Sequence, residues 1–330
     1  MTERLTLAIG DYDRTRALAD GSVGVRGVEL AVVNLHPGEL FARVVRDREF
    51  EVAELSLSTY LNLRARGDDG LIAIPVFPSR MFRHGYVFVH AGAGIARPED
   101  LVGRSIGTEQ WQLTAGLWLR GILEDDHGVA PEAMTWVIGG QERPGSHERA
   151  AVEVPAGVRV EQPAGGRALG DLLADGDLDA LIAPHIPTRF RERHPGIARL
   201  WPDYPAVEAE WYRRTRLFPI MHVVVIRADV AGRRPELAAA LFEAFCAAKR
   251  LARERLRFTG TLATMVPWLI AEVEATEALF GDRWWPYGVE ANRRELETAI
   301  RYAVRQRIAV RPLSIAELFG SETLELVDEP

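Results

Sequence analysis

Three potential cations crowd the stretch "SRMFRHGYVFVH", where Arg80, Arg83 and His84 are followed directly by an apolar run of period two. Arginine forks match carboxylate geometry, so a pair of them beside a strand suits an anionic ligand. The same residues also suit a solvated loop with a hydrogen-bonded histidine at its end. A second anion site is offered by "GTEQWQLTAG", where a strand running into a helix leaves free backbone N–H groups and the positive end of the helix dipole. Gln110, Gln112 and Thr114 can add side-chain donors there, or can simply cap and decorate the helix.

Other chemistries find little support. Of the eight histidines (His36, His84, His90, His127, His147, His185, His194 and His222), no two have His-x-His or His-Glu-x-x-His spacing, and one cysteine excludes a thiolate zinc site. A divalent metal assembled from dispersed ligands stays open. There is no Walker A motif and no G-x-S-x-G elbow, and "GAGIARP" lacks the third glycine of a dinucleotide fingerprint. Lys249, the only lysine, lies among helix formers in "EAFCAAKRLARERL", which argues against a Schiff-base cofactor. No cofactor is expected.

The elements that must position these residues alternate. "LTLAIG", "VELAVVNL", "FEVAELSL" and "LIAIPVF" read as strands, with helices through "HPGELFARVV" and "TYLNLRAR" between them, the pattern of an open, mostly parallel sheet. A second series begins at "YVFVH" and continues through "RSIGTE", the helix "QWQLTAGLWLRGILEDDHG" with Gly128 as its stop, "MTWVIGG" and "LDALIAP". Gly139 to Gly170 reads as an irregular surface excursion. "RLFPIMHVVVIRADV" is a further strand. "RPELAAALFEAFCAAKRLARERL" is a long helix, and "NRRELETAIRYAVRQR" is another, with Asn292 as its expected N-cap and Leu296, Ile300 and Val304 as its buried stripe. Apolar strands near residues 86 and 223 are where the chain can cross between two lobes, so residues 1–88 and 219–330 are assigned to one lobe and 89–218 to the other, with a ligand cleft between them.

With 330 residues and 47% hydrophobic content, the chain is long enough for two cores. Forty basic against 47 acidic residues, a net charge of −7, leave no nucleic-acid footprint. No window approaches a membrane span, "MTERLTLAIGDYD" has no export-signal pattern, and Cys246 cannot form an intrachain bridge. A cytoplasmic protein without nucleic-acid or membrane partners is expected, with homo-oligomerisation left open.

Taken together, "VAELSLSTYL", "IPVFPSRMFRHGYVFV", "TEQWQLTAGLWLRGIL", "LFPIMHVVVIRADV" and "DRWWPYGVEANRREL" resemble the 4,5-dihydroxyphthalate decarboxylase family over nearly the whole chain, in the same order. The resemblance implies an α/β, two-lobed clamshell of the type II periplasmic-binding-protein-like fold, each lobe an open mixed sheet flanked by helices. It also implies non-oxidative, cofactor-independent loss of CO2 from a hydroxylated aromatic acid, as in conversion of 4,5-dihydroxyphthalate to protocatechuate. The alternative on this fold is a small-carboxylate binding protein or ABC-type solute receptor without catalysis.

A phthalate-type substrate gives the cationic stretch a purpose, with Arg80 and Arg83 binding its carboxylates. Decarboxylation further needs a proton donor to the ring carbon, for which His84 and His222, both inside resemblance motifs, are the leading candidates, with His185 third. Glu54 can accept a phenolic proton or form a structural ion pair. Ser56, Ser58 and Thr59, where a strand turns into a helix, can bond substrate or cap the helix. Tyr12 and Tyr60 can line the cleft, as can an arginine of the Tyr212–Arg213–Arg214 run, whereas Trp284 and Trp285 are expected to close a core or a helix interface.

Overall fold

A computed structural model describes residues 3–145, 148 and 150–328; His147 lies outside them. Among the described residues, eleven strands form two sheets. The first sheet contains β1 (Glu3–Ile9), β2 (Val28–Asn34), β3 (Val52–Ser56), β4 (Leu71–Ile74) and β11 (His222–Arg227), in the order β2-β1-β3-β11-β4. The second contains β5 (Val87–His90), β6 (Ser105–Thr108), β7 (Thr135–Ile138), β8 (Arg159–Glu161), β9 (Ala180–Ile182) and β10 (Ile197–Arg199), in the order β10-β5-β9-β6-β7-β8. Each sheet is mixed for the same reason. The strand that enters it after a crossing, β5 or β11, runs antiparallel to both neighbours.

The strands follow their side-chain patterns. Val223 to Ile226 are all buried because β11 lies inside its sheet and is covered on both faces. In the helix Leu237–Arg257, Leu237, Leu241, Phe245, Ala248 and Ala252 are buried along one stripe, which packs on the segment after β1.

The two crossing segments run side by side. Met81 N donates to Pro219 O (3.1 Å) and Met221 N to Ser79 O (2.9 Å), with Arg80 and Ile220 bridged between them. The first change of sheet thus falls between β4 and β5, and the expected boundary at residue 88 cuts through β5, which belongs wholly to the second sheet. Two local expectations also change. The excursion from Gly139 contributes an edge strand, β8, and Asn292 does not cap its helix: its Nδ2 instead donates to Pro286 O (3.1 Å) and Gly288 O (2.7 Å), tying down the preceding turn.

The lobes are clamped together by the helix Thr114–His127. Trp118 Nε1 donates to Ile220 O in the second crossing segment (2.9 Å), and Gly121 lies so close to the helix Arg293–Arg305 that an added Cβ would sit 2.2 Å from the Tyr302 ring. Glycine is required there by the approach of the two helices. Among the described residues no helix is long and apolar enough to cross a membrane.

Candidate active site

The parallel strands of the first sheet end at one edge, where β11 begins, and buried polar side chains gather at this edge. Glu54 in β3 is fully buried, and three donors converge on it: Gly10 N just past β1 (2.8 Å), Tyr12 Oη (2.6 Å) and His222 Nδ1 (2.5 Å). Register explains the meeting. His222 pairs with Ser56 and Val224 with Glu54, so His222, Ser56 and Glu54 share one face. Gly10 allows Tyr12 to fold back over the strand end, since a Cβ there would meet the phenol ring at 2.9 Å. Phe41 holds the imidazole edge-on at 4.9 Å.

The electrostatics assign the protons. Burial works against a charge on Glu54, but the His222 charge and the hydrogen bonds from His222, Tyr12 and Gly10 outweigh it and hold the carboxyl below its ordinary value. Burial, and then the Glu54 charge, drive the Tyr12 phenol far above its ordinary value, so it stays protonated. An ionised carboxylate only accepts, so Nδ1 of His222 carries a hydrogen. Nε2 is left without a protein partner on a side chain that is 16% exposed.

Since Glu54 titrates lower in the folded protein than in the unfolded chain, its contribution to stability is fully present above its ordinary value of 4.5 and is lost as pH falls through the lower folded value. Glu54→Gln is therefore expected to flatten the acid limb of stability. Thermal melts between about pH 5 and 3 should show a steeper fall in Tm for the wild type than for the variant; parallel limbs would contradict the assignment.

The second lobe brings hydroxyls and amides against this edge. The helix Leu57–Ala65 starts directly after β3, and the helix Thr114–His127 starts opposite it. Thr114 Oγ1 lies 2.8 Å from both Ser56 Oγ and Ser58 Oγ and accepts from Ser58 N (3.2 Å), while Ser58 Oγ donates to Gln112 O. Gln112 is fully buried, and neither its Oε1 nor its Nε2 has a partner; Thr59 Oγ1 is likewise unpartnered. Such groups are costly to bury unless something bonds them. Arg83, on the first crossing segment before β5, donates through Nε to Met221 Sδ (3.1 Å) and through Nη1 to Pro184 O just past β9 (3.1 Å). It has no carboxylate partner, and burial pushes its guanidinium down to about 10. Glu208 favours its charge from a distance, but a buried cation without a direct ion-pair partner suits an anionic ligand.

The structure thus brings together Tyr12, Glu54, Ser56, Ser58, Gln112, Thr114 and His222, while Arg83 contacts Met221, the chain neighbour of His222. It does not bring in His84, Arg80 or His185. Arg83 and His84 are successive residues and point apart: the His84 ring packs on Trp201 (5.1 Å) and Trp211 (5.5 Å), and burial pushes it down to about 4. Arg80 turns away from the cleft toward Phe218 O (3.3 Å) and Glu295 (3.6 Å). His185 is half exposed, with Nε2 3.6 Å from Glu142.

Tyr60 is structural, its hydroxyl bonded to Leu318 O and Ala73 N, and Arg213 and Arg214 form surface ion pairs. Lys249 is buried against Asp328. Among the described residues no three His, Cys, Asp or Glu side chains gather as a metal site. Sequence reasoning missed Arg14, whose guanidinium lies 4.2 Å from both the Tyr12 and Trp285 rings. It also missed the Gly10 amide; the signal for both was "GDYDR" immediately after the first strand.

Two mixed sheets joined by two adjacent crossings define a type II periplasmic-binding-protein-like fold. The fold is shared with the periplasmic aliphatic sulphonate binding protein SsuA of Escherichia coli (TM-score 0.57, 12% identity, 97% of this chain and 98% of that one) and with a putative sulfonate-binding SsuA of Methylobacillus flagellatus (TM-score 0.55, 12% identity, 98% and 92%). In sequence, the chain is 38% identical over 322 residues to the 4,5-dihydroxyphthalate decarboxylase of Comamonas testosteroni, covering 98% of both. It is 41% identical over 209 residues to that of Pseudomonas putida, covering 63% of this chain and 81% of the relative. The chain belongs to the 4,5-dihydroxyphthalate decarboxylase family. No protein-family model matches it.

Proposed function

We propose that this protein releases CO2 non-oxidatively from a hydroxylated aromatic acid of the 4,5-dihydroxyphthalate type, giving protocatechuate, and that it does so in the cytoplasm. The observation that carries the mechanism is the Glu54–His222 pair, a buried ionised carboxylate holding an imidazole whose Nε2 is unpartnered. In the cationic imidazole, Nε2–H delivers its proton to the ring carbon bearing the departing carboxylate. The hydroxyl para to that carbon stabilises the positive charge this creates in the ring. The bond to the carboxylate then breaks, its electron pair restores the aromatic ring, and CO2 leaves. His222 ends neutral and recovers its proton from solvent. Glu54 stabilises the imidazolium and, after proton transfer, fixes the tautomer of the neutral ring with its hydrogen on Nδ1, as the carboxylate partner of a catalytic histidine does elsewhere. Tyr12 holds Glu54 in place.

The second carboxylate stays on the product and needs a binding site. Arg83 and the Gln112 amide supply donors for it, close to the two helix starts at Leu57 and Thr114. Either carboxylate of 4,5-dihydroxyphthalate can occupy this site, because the molecule is symmetric and each carboxylate is para to a hydroxyl.

The chemistry written above uses only protein groups, and the proposal includes independence from a metal. The test is CO2 release with product identification, using purified protein and 4,5-dihydroxyphthalate beside a panel of hydroxybenzoates, with and without chelator. Equal rates of protocatechuate formation in both conditions are expected. Loss of activity with chelator, restored by a divalent cation, would overturn the metal-free part of the proposal.

A further inference from the structure

Beyond Trp285, whose ring faces the Arg14 guanidinium that also faces Tyr12, lies a separate cavity of about 330 Å³, between Arg80 on the first crossing segment, the end of the helix Tyr204–Thr215, and the chain from Phe280 to Glu297. It gathers residues that the catalytic cleft leaves unused. Arg80 is 3% exposed, and its Nε and Nη2 have no partner; Trp284 Nε1 is buried and unpartnered as well. Tyr212, Phe218 and Phe280 form aromatic walls, with ring centroids 4.3 Å (Tyr212–Phe280) and 5.1 Å (Phe218–Phe280) apart.

Charge on the rim is unbalanced. The carboxylates present are already engaged: Glu290 and Glu297 by Arg293, and Glu295 by Arg80 and Phe218 N. Arg216, Arg283 and Arg294 also line the cavity, and none has a carboxylate partner among the described residues. Buried, unsatisfied donors under a cationic rim call for an anion, and aromatic walls call for a ring.

We propose that this cavity is a second binding site, distinct from the catalytic cleft, for a single-ring aromatic carboxylate. Its position connects it to the crossing segments and to the catalytic residues. Arg80 bridges to Ile220 where the two crossing segments meet, and Trp285 lines the cavity while stacking on Arg14, which stacks in turn on Tyr12. An occupant therefore touches the paired crossing segments through Arg80 and connects through Trp285 and Arg14 to Tyr12, the residue that holds Glu54.

The test titrates benzoate into the full-length protein by calorimetry and tryptophan fluorescence. The wild type is compared with Arg283→Ser/Arg294→Ser, which changes only the rim, with Trp284→Phe, and with Arg83→Met in the catalytic cleft. Two classes of site are expected. The rim variant should weaken one class at least tenfold and leave the other intact, Arg83→Met should do the reverse, and Trp284→Phe should remove most of the fluorescence change. A single class of site that Arg83→Met abolishes and the rim variant leaves unchanged would overturn the proposal, as would benzoate binding indifferent to all three changes.

Discussion

Replacing His222 by glutamine lowers kcat by about two to four orders of magnitude with little change in KM, the range expected when a general acid is removed. Glutamine is the informative substitution because its amide can still donate to Glu54, so the buried carboxylate keeps a hydrogen bond while Nε2, the proton donor, is gone. Truncation to alanine confounds the test. It leaves Glu54 charged, fully buried and short of its closest partner, and breaking such a pair costs about 3–5 kcal/mol. A His222→Gln protein that melts near the wild type but turns over at more than a tenth of its rate would remove His222 from the mechanism.

Arg83→Met is expected to raise KM for the dicarboxylate by about 10- to 100-fold, the equivalent of one charge-assisted hydrogen bond, with a smaller effect on kcat. Folding should tolerate the change because Arg83 forms no ion pair: the buried Glu208, which its charge favours at longer range, keeps its hydrogen bond from Gly85 N (3.1 Å). The protein contacts of Arg83 are a thioether sulfur, a carbonyl and the Tyr86 ring. Arg83→Lys should rescue binding only in part, since an ammonium cannot reproduce the guanidinium fork. Steady-state kinetics with the melting temperature measured in parallel decides it. A large loss of Tm with unchanged kcat/KM per folded molecule would make Arg83 a structural residue.

The sequence made strand ends legible better than side-chain directions. Glu54, Ser56 and Ser58 stood out because a strand turning into a helix places polar groups at a sheet edge, and His222 because it lies inside the resemblance motif "LFPIMHVVVIRADV" at an expected crossing. That Glu54 and His222 meet depends on β11 returning antiparallel beside β3 in one register, a pairing between residues 168 apart that local pattern cannot express. Arg80, Arg83 and His84 show the limit from the other side. Their types suggested one shared site, yet they face three surroundings, because a chain crossing between lobes presents successive side chains in different directions. Asn292 failed as a cap for a related reason. Its amide found two carbonyls in the preceding turn, which a capping pattern read along the helix does not contain.

Product formation followed by proton NMR in D2O, with purified protein and 4,5-dihydroxyphthalate, tests the central claim most directly. Delivery of a solvent-exchanged proton to the carbon that loses CO2 predicts protocatechuate carrying one deuterium, ortho to the retained carboxylate and para to a hydroxyl, at a rate that collapses in His222→Gln. Saturable binding that shifts the melting temperature while no protocatechuate forms would contradict it, and would leave the cleft a receptor for the acid.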